Sequence, residues 1–428
     1  MVLKAPRGMQ DILPAQVGRW QALEARARDH AHRYGYREIR TPIVEHTEVF
    51  QRGVGSGTDI VDKEMYTFLD RGQRSLSLRA EGTAPVVRAF LEHNLGSAGL
   101  PVKLYYICPI FRYDRPQAGR YRQHAQFGAE VLGAAEPAAD VEVASLAVRL
   151  LHSLGLSRFE LHLSSVGDGV CRPHYIEVLR AYYRPRLGEV CEDCRRRFEV
   201  APLRLLDCKQ EHDREIARGA PRILDYLCDP CREHFAGVRA SLDAIGLAYT
   251  VDPLIVRGLD YYTRTAWEAL SSTLGAQDAI FGGGRYDGLA EQLGGPPTPG
   301  VGFGMGLERL LRALDEEGIR LREDSTVDVY IATAGVEPAR ALAIADRLRQ
   351  AGIAADLDVM NRGLRAQMKQ ADRLGARFVL VLGDDEIRRG VAAIREMASG
   401  AQDEAALEAL PEVLAARLGS PVPGKERT

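Results

Sequence analysis

Pro299-Gly-Val-Gly-Phe-Gly-Met-Gly-Leu-Glu-Arg309 is a glycine-rich run leading into the start of a helix. Glycine lets a flat group such as adenine or ribose lie against the main chain. Arg309 follows where a guanidinium can take a phosphate. The run is not a phosphate loop, because G-x-x-x-x-G-K-[ST] is missing, and its spacing is not a dinucleotide fingerprint. Two more glycine-bearing segments lie close upstream: Phe281-Gly-Gly-Gly-Arg-Tyr-Asp287 and Arg257-Gly-Leu-Asp-Tyr-Tyr262. The first permits close approach of backbone to ligand. In the second, Arg257 is costly to bury unless it meets an anion, and Tyr261 and Tyr262 supply flat walls tipped with a hydroxyl. Alone, this last segment reads equally well as a strand with aromatic core residues.

Further upstream stands Phe111-Arg-Tyr-Asp-Arg-Pro-Gln-Ala-Gly-Arg-Tyr-Arg122, with four arginines against one aspartate, net +3. The flanks 102–113 and 123–132 read as antiparallel strands joined by this loop. Arg112, at a strand end, offers a planar fork of donors that keeps its charge at physiological pH. Arg115, Gln117, Arg120 and Arg122 on the loop are placed to reach a larger phosphate-bearing partner. On the return strand Gln126 and Glu130 are four apart and share a face. Taken alone, the loop reads equally well as a charged hairpin on a sheet edge. Jointly the segments supply three arginines for phosphate (Arg112, Arg257, Arg309) and acids for a small cationic substrate (Glu81, Glu130), the components of a nucleotidyl-transfer site.

The rest of the chain frames that site. At 428 residues, two or three domains are expected. A hydrophobic share of 46% and a charged share of 27% are ordinary for a globular protein. No apolar run reaches the roughly 18 residues of a membrane span, and no signal-peptide pattern opens the chain, so a cytoplasmic location is the expectation. Net charge is −3, which gives nucleic acid no global attraction. A second basic stretch, Arg362, Arg365, Lys369, Arg373 and Arg377 against Asp372, is net +4.

The spacing predicts a helix over 14–34, a strand over 37–45 that Pro42 confines to a sheet edge or an interface, and a helix 84–94 capped by Thr83. A helix (138–154) and a strand (158–165) follow. Residues 1–167 and 251–320 therefore read as one catalytic domain. Residues 168–250 change character and read as an inserted, mostly helical domain. After a linker, 326–420 alternates strand and helix, an α/β domain with a largely parallel core, and 421–428 reads as a flexible tail.

Seven cysteines without an export signal are expected as thiols. Cys191-Glu-Asp-Cys194 and Cys228-Asp-Pro-Cys231 each have a spacing that can grip one tetrahedral metal. Zinc held by Cys191, Cys194, Cys228 and Cys231 would be structural, with Cys208 able to replace one ligand. Buried, metal-free thiols are the alternative.

Across nearly its whole length the chain resembles the class II aminoacyl-tRNA synthetases, and among them the histidyl-tRNA synthetase family. The early helix and the Pro42 strand resemble the first class motif, Phe111–Glu130 the second and Gly300–Arg309 the third. Arg257–Tyr262 and Phe281–Asp287 resemble the two histidine-specific signatures, and the tail is similar to the anticodon-binding domain. The resemblance implies an α+β fold: an antiparallel-sheet catalytic domain, a helical insertion and a C-terminal α/β anticodon-binding domain. It implies ATP and L-histidine as substrates, Mg²⁺ with the nucleotide, tRNA(His) as partner and a homodimer. It places Glu81, Gly82, Thr83 and Gln126 around the α-ammonium of histidine, and Glu130, Tyr261 and Tyr262 around its imidazole. Arg112 would grip the α-phosphate, Arg257 would sit near the reacting carboxylate and phosphate, and Arg309, Gly304 and Gly306 would hold ATP. Arg115, Gln117 and Arg122 would meet the acceptor end of the tRNA. His124-Ala125 and Ala80 depart from the family pattern, and altered packing is expected there. A non-catalytic paralogue that regulates ATP phosphoribosyltransferase is the competing reading, and a sister synthetase for threonine, proline or glycine is another.

Overall fold

The computed structural model describes residues 3–55, 58–115, 119–275, 279–321 and 327–419. The chain forms two compact units, Met1–Arg322 and Glu323–Thr428. The expected acceptor-end residue Gln117 and the tail 421–428 lie outside the described residues.

In the first unit an eight-stranded sheet runs, edge to edge, Arg37–Glu38, Val102–Phe111, Gln123–Leu132, Gly300–Gly306, Ala279–Arg285, Thr263–Ser271, Phe159–Ser165 and Thr250–Val251. The inner pairings are antiparallel, and only the two short edge strands pair parallel. Glycine-rich Gly300–Gly306 lies at the centre, between the return strand of the basic hairpin and Ala279–Arg285. Three sequence-distant motifs are thereby made lateral neighbours. The helices Pro14–Arg33 and Pro137–Ser153 cover one face, burying Leu23, Ala27 and Ala31 from the first and Val143, Leu146, Ala147 and Leu150 from the second. Leu307, Leu310, Leu311 and Leu314 recur at helical spacing and add one face of Leu307–Glu316 to the same core.

The extended segment 37–45 is not one strand. Arg37–Glu38 pairs with the large sheet, while Val44–His46 joins a separate three-stranded sheet with Ser75–Leu78 and Thr67–Leu69. Pro42, which has no N–H to donate, lies in the gap. Buried Arg79 satisfies backbone carbonyls there, donating to the oxygens of Thr41 (2.9 Å) and Pro109 (2.7 Å).

Residues 172–244 hold four α-helices, Arg172–Tyr183, Glu192–Val200, Glu211–Arg218 and Asp229–Ala244. Their own apolar core includes Tyr175, Leu179, Tyr183, Phe198 and Leu205, and ends at Cys231. Beyond Cys231 the last helix turns to the main core, through Phe235, Val238 and Leu242. His234 of that helix lies 3.2 Å from buried Asp140, which also receives Arg285.

The second unit is a five-stranded sheet ordered Ala355–Leu357, Val329–Ala334, Phe378–Gly383, Val391–Glu396 and Gln402–Ala406. The first three strands are parallel, joined by the helices Pro338–Gln350 and Leu364–Arg373. The last two add antiparallel, so the sheet is mixed rather than largely parallel. In the basic stretch Gln367 is buried and bonds both the N–H and the C=O of Thr333 (2.8 and 2.9 Å), while Arg365, Lys369, Arg373 and Arg377 are exposed.

Candidate active site

A cavity of about 310 Å³ opens over the central strands, lined among others by Arg112, Arg257, Arg309, Glu81, Thr83 and Gln126. Tyr261, Tyr262, Gly304 and Gly306 also line it. The three arginines come from distant points in the chain and converge on this one space. Each is oriented by the protein. Arg112 Nε donates to the Ala80 carbonyl (2.7 Å), so the departure at position 80 keeps the backbone acceptor this guanidinium uses. Arg257 pairs with Glu268 and lies with its guanidinium carbon 5.4 Å from the Tyr262 ring centroid. Arg309 donates to the carbonyls of Gly119 and Ala279, each at 3.0 Å.

One side of the cavity is built around Glu81. Its carboxylate accepts the Thr83 and Ala84 amides (2.8 and 2.6 Å) and so closes the start of the Thr83–Glu92 helix. Thr83 is therefore not the cap: Gly82 stands at that position, and the Thr83 hydroxyl is used elsewhere. Gly82 has the Tyr106 ring against it, with 2.3 Å left for an added Cβ. Tyr261 packs on Tyr262 and Tyr286, with ring centroids 4.8 and 5.6 Å apart, and its hydroxyl is 3.4 Å from Glu81. Burial raises the pKa of Glu81.

Glu130 sits differently from expectation. It is 0% exposed and lies beneath the cavity wall rather than on it. Its carboxylate accepts hydroxyls from Thr83 (2.7 Å), Tyr106 (3.2 Å) and Tyr286 (2.5 Å). Burial pushes its pKa up to about 8 despite those hydroxyls. The glycines explain how it fits: a Cβ on Gly302 would meet the Glu130 carboxylate at 1.6 Å, and one on Gly304 would meet the Gln126 amide at 1.7 Å. Those two glycines clear space for protein side chains. Gly306 has nothing within 4 Å of an added Cβ, so the open main chain is there.

Arg285, in the second signature, serves the fold. It is fully buried, pairs with Asp140 and donates to the Ala134 carbonyl (2.8 Å). Arg115 is exposed, and Arg122 stacks on Tyr113, its guanidinium carbon 3.6 Å from the ring centroid. Neither lines the cavity. The wall residues given no site role by the sequence include three titratable ones, His124, Glu268 and Glu308. Desolvation, with Arg112 and Arg309 adding repulsion, drives the His124 pKa down to about 3, so the imidazole is neutral. Burial pushes Glu308 up to about 7, and its carboxylate accepts the Ala125 amide at 2.9 Å. Only the fact that Glu308 adjoins Arg309 hinted at it.

The cysteines do not form the single four-thiol site expected. Cys191 and Cys194 lie with Cys208 and Asp213, whereas Cys228 and Cys231 lie with Cys171 and Asp168. The two pairs begin different helices, Glu192–Val200 and Asp229–Ala244.

The family model for histidyl-tRNA synthetase matches residues 8–171 and 204–310, and that for an anticodon binding domain matches 328–417. The chain belongs to the histidyl-tRNA synthetase family. The histidine--tRNA ligase of Desulforamulus reducens is 52% identical over 418 residues, covering 97% of this chain and 100% of that protein. That of Moorella thermoacetica is 53% identical over 411 residues, covering 96% and 97%. Among solved structures, apo S. aureus histidyl-tRNA synthetase is 41% identical, with a TM-score of 0.82 over 96% of this chain and 100% of that one. The C-terminal unit is accordingly an anticodon-binding domain, and the first unit a synthetase catalytic domain.

Proposed function

We propose that the chain is a histidine–tRNA ligase. It joins L-histidine to ATP, giving histidyl-adenylate and pyrophosphate, and then passes the histidyl group to the 3′ end of tRNA(His). The observation that carries this reading is the convergence of Arg112, Arg257 and Arg309 on one cavity that also holds Glu81, Gln126 and Tyr261.

In the first step a histidine carboxylate oxygen bonds to the α-phosphorus as the bond to the β-phosphate bridging oxygen breaks. Two anions must meet, and fixed guanidinium groups offset the repulsion and hold the charge that moves onto pyrophosphate. The nucleophile is already ionised, so no general base is needed. Arg112 grips the α-phosphate, Arg257 spans carboxylate and phosphate, and Arg309 holds the γ-phosphate. Glu81 and Gln126 take the α-ammonium, and Tyr261 and Tyr262 flank the imidazole. Glu130 acts from below by fixing the hydroxyls of Thr83, Tyr106 and Tyr286. A site with built polar partners rejects apolar amino acids, which would leave those partners unpaired.

Mg²⁺ accompanies ATP. Burial raises the pKa of the Glu308 carboxyl on the wall to about 7, and once deprotonated it would offer this cation hard oxygen ligands. When bound, Mg²⁺ neutralises phosphate charge. Exposed Arg115, with Gln117 and Arg122 of the same loop, meets the acceptor end of the tRNA. The chain works as a cytoplasmic homodimer. Exposed Ile43, Val44, Phe68 and Leu69, all at the small three-stranded sheet, give the apolar surface a partner copy would cover.

Histidine-dependent exchange of labelled pyrophosphate into ATP tests the function. Exchange with histidine and not with threonine, proline or glycine is expected. No exchange, together with binding to ATP phosphoribosyltransferase, would establish the regulatory reading instead.

A further inference from the structure

We infer that the helical insert holds two separate zinc ions, each in a shell of three cysteine sulfurs and one aspartate oxygen. One shell is Asp168, Cys171, Cys228 and Cys231; the other is Cys191, Cys194, Cys208 and Asp213. Within each group the ligand atoms lie within 4.8 Å of one another.

The spacing matches a single ion. Bonds of ~2.3 Å to sulfur and ~2.0–2.2 Å to oxygen in a tetrahedron set sulfur–sulfur edges of about 3.8 Å and sulfur–oxygen edges of about 3.5 Å. Cys191 Sγ lies 3.8 Å from Cys208 Sγ, and Cys208 Sγ lies 3.3 Å from Asp213 Oδ2. In the other group Asp168 Oδ1 lies 3.6 Å from Cys171 Sγ and 3.7 Å from Cys228 Sγ. The shells are too small for a multi-iron cluster. Thiolate-rich tetrahedral sets favour zinc over the harder cations.

The surroundings favour an ion over a thiol cluster. Asp213 is 3% exposed, and Cys194 and Cys208 beside it are 1% and 5% exposed. Against its carboxylate stand the Cys191 amide (3.1 Å) and the Cys208 thiol; among the described residues it forms no salt bridge. Thiols are weak donors, so a buried carboxylate among them gains little unless a cation sits between. Both shells also use one local device. A C-x-x-C pair straddles a helix start, with Cys191 and Cys228 at the N-cap positions. In the Asp213 group the Cys191 sulfur accepts the Cys194 amide of the first helical turn at 3.4 Å. The same donor set has been assembled twice, from different partners.

Each ion would staple a different part of the insert. The first joins 168–171 to 228–231, the two ends of the insert's own core. Arg172, next to Cys171, donates to the carbonyls of Val166 and Gly167 (2.9 Å each) and of Tyr262. That ion is thus one residue removed from the backbone of a histidine-signature tyrosine. The second closes 191–213, tying the start of the helix Glu192–Val200 to that of Glu211–Arg218, two short helices where a metal adds to a small apolar core.

The full-length protein, purified without chelator under reducing conditions and supplied with zinc sulfate before desalting, should carry about two equivalents of zinc by elemental analysis. Organomercurial titration of the wild type should release both into a colorimetric zinc indicator, a readout that needs no variant to fold. Cys208→Ser and Cys171→Ser should each retain about one equivalent. Cobalt loading should give the thiolate charge-transfer and intense d–d absorption of tetrahedral sites, about halved in each variant. Zinc at or below one equivalent with all seven thiols titratable, a Cys191–Cys208 disulfide in its place, or two equivalents kept by either variant would overturn the assignment.

Discussion

Gly302 stands directly opposite Glu130 in antiparallel register, and a Cβ at 302 would lie 1.6 Å from the Glu130 carboxylate. The glycine of one strand is therefore the seat of the acid on the next. Displacing Glu130 also displaces the Thr83, Tyr106 and Tyr286 hydroxyls that bond it. Gly302→Ala should lower kcat/KM for histidine by about 10²-fold, because misplacement near 1 Å costs that much at a reacting centre. Gly306→Ala is the control, since nothing lies within 4 Å of its added Cβ. It should keep its thermal transition, with any kinetic change confined to KM for ATP. Pyrophosphate exchange on both variants tests the pair.

Arg257→Ala should abolish most adenylation while leaving the fold intact. Its partner Glu268 keeps 26% side-chain exposure, so water can solvate the carboxylate left behind and the stability loss should be small. Removing one fixed charge-stabilising donor typically costs about 10²–10³ in kcat. Single-turnover adenylate formation, read beside a melting curve, separates the two effects. Unchanged turnover would remove this arginine from the chemistry.

Glu130 makes stability fall as pH rises. Burial, foremost, raises its pKa from the ordinary 4.5 to about 8, against the opposing hydroxyl bonds. Between those values the folded protein keeps a proton that the unfolded chain has released. The stability this gives is full below the ordinary value and is lost as pH climbs through about 8, with a slope of up to ~1.4 kcal/mol per pH unit. Denaturant titrations across that window should show wild type losing stability relative to Glu130→Gln, which cannot ionise. Parallel curves would refute the reading.

Asp140 is a fully buried acid bonded to Arg285 at the end of Ala279–Arg285 and to His234 of the last helix of the insert. Asp140→Ala takes the buried carboxylate from a fully buried guanidinium, which keeps Asp287 (3.0 Å) as its other acid. Breaking a buried pair typically costs about 3–5 kcal/mol, and Asp287 sets the loss toward the lower end. Urea unfolding should show that loss, and Arg285→Met in the same background should recover part of it.

Long, strongly patterned elements are legible in the sequence. The helix Pro14–Arg33, the hairpin Val102–Phe111 and Gln123–Leu132, and the helix Leu307–Glu316 each announce themselves by apolar period, proline or glycine. The antiparallel strands Val391–Glu396 and Gln402–Ala406 did not. The second is Gln-Asp-Glu-Ala-Ala, mostly exposed, with no apolar alternation, and its extended form comes from pairing with its neighbour. Thr83 looked like a cap because its residue type suits one, but Glu81 reaches the same amides and frees the hydroxyl for Glu130.

Residue type alone settled which chemistry the chain can do: arginines beside glycine, tyrosines beside acids and thiols in close pairs are properties of side chains and short spacing. Tertiary structure decided which of them meet. Strand order sets Gly300–Gly306 between Gln123–Leu132 and Ala279–Arg285, placing Arg112, Arg257 and Arg309 around one cavity and Glu130 under it. It sends Arg285 to the core and divides four cysteines between two clusters. Local preference acts over a few residues, whereas the pairing of strands more than a hundred positions apart is chosen by the burial of the whole sheet.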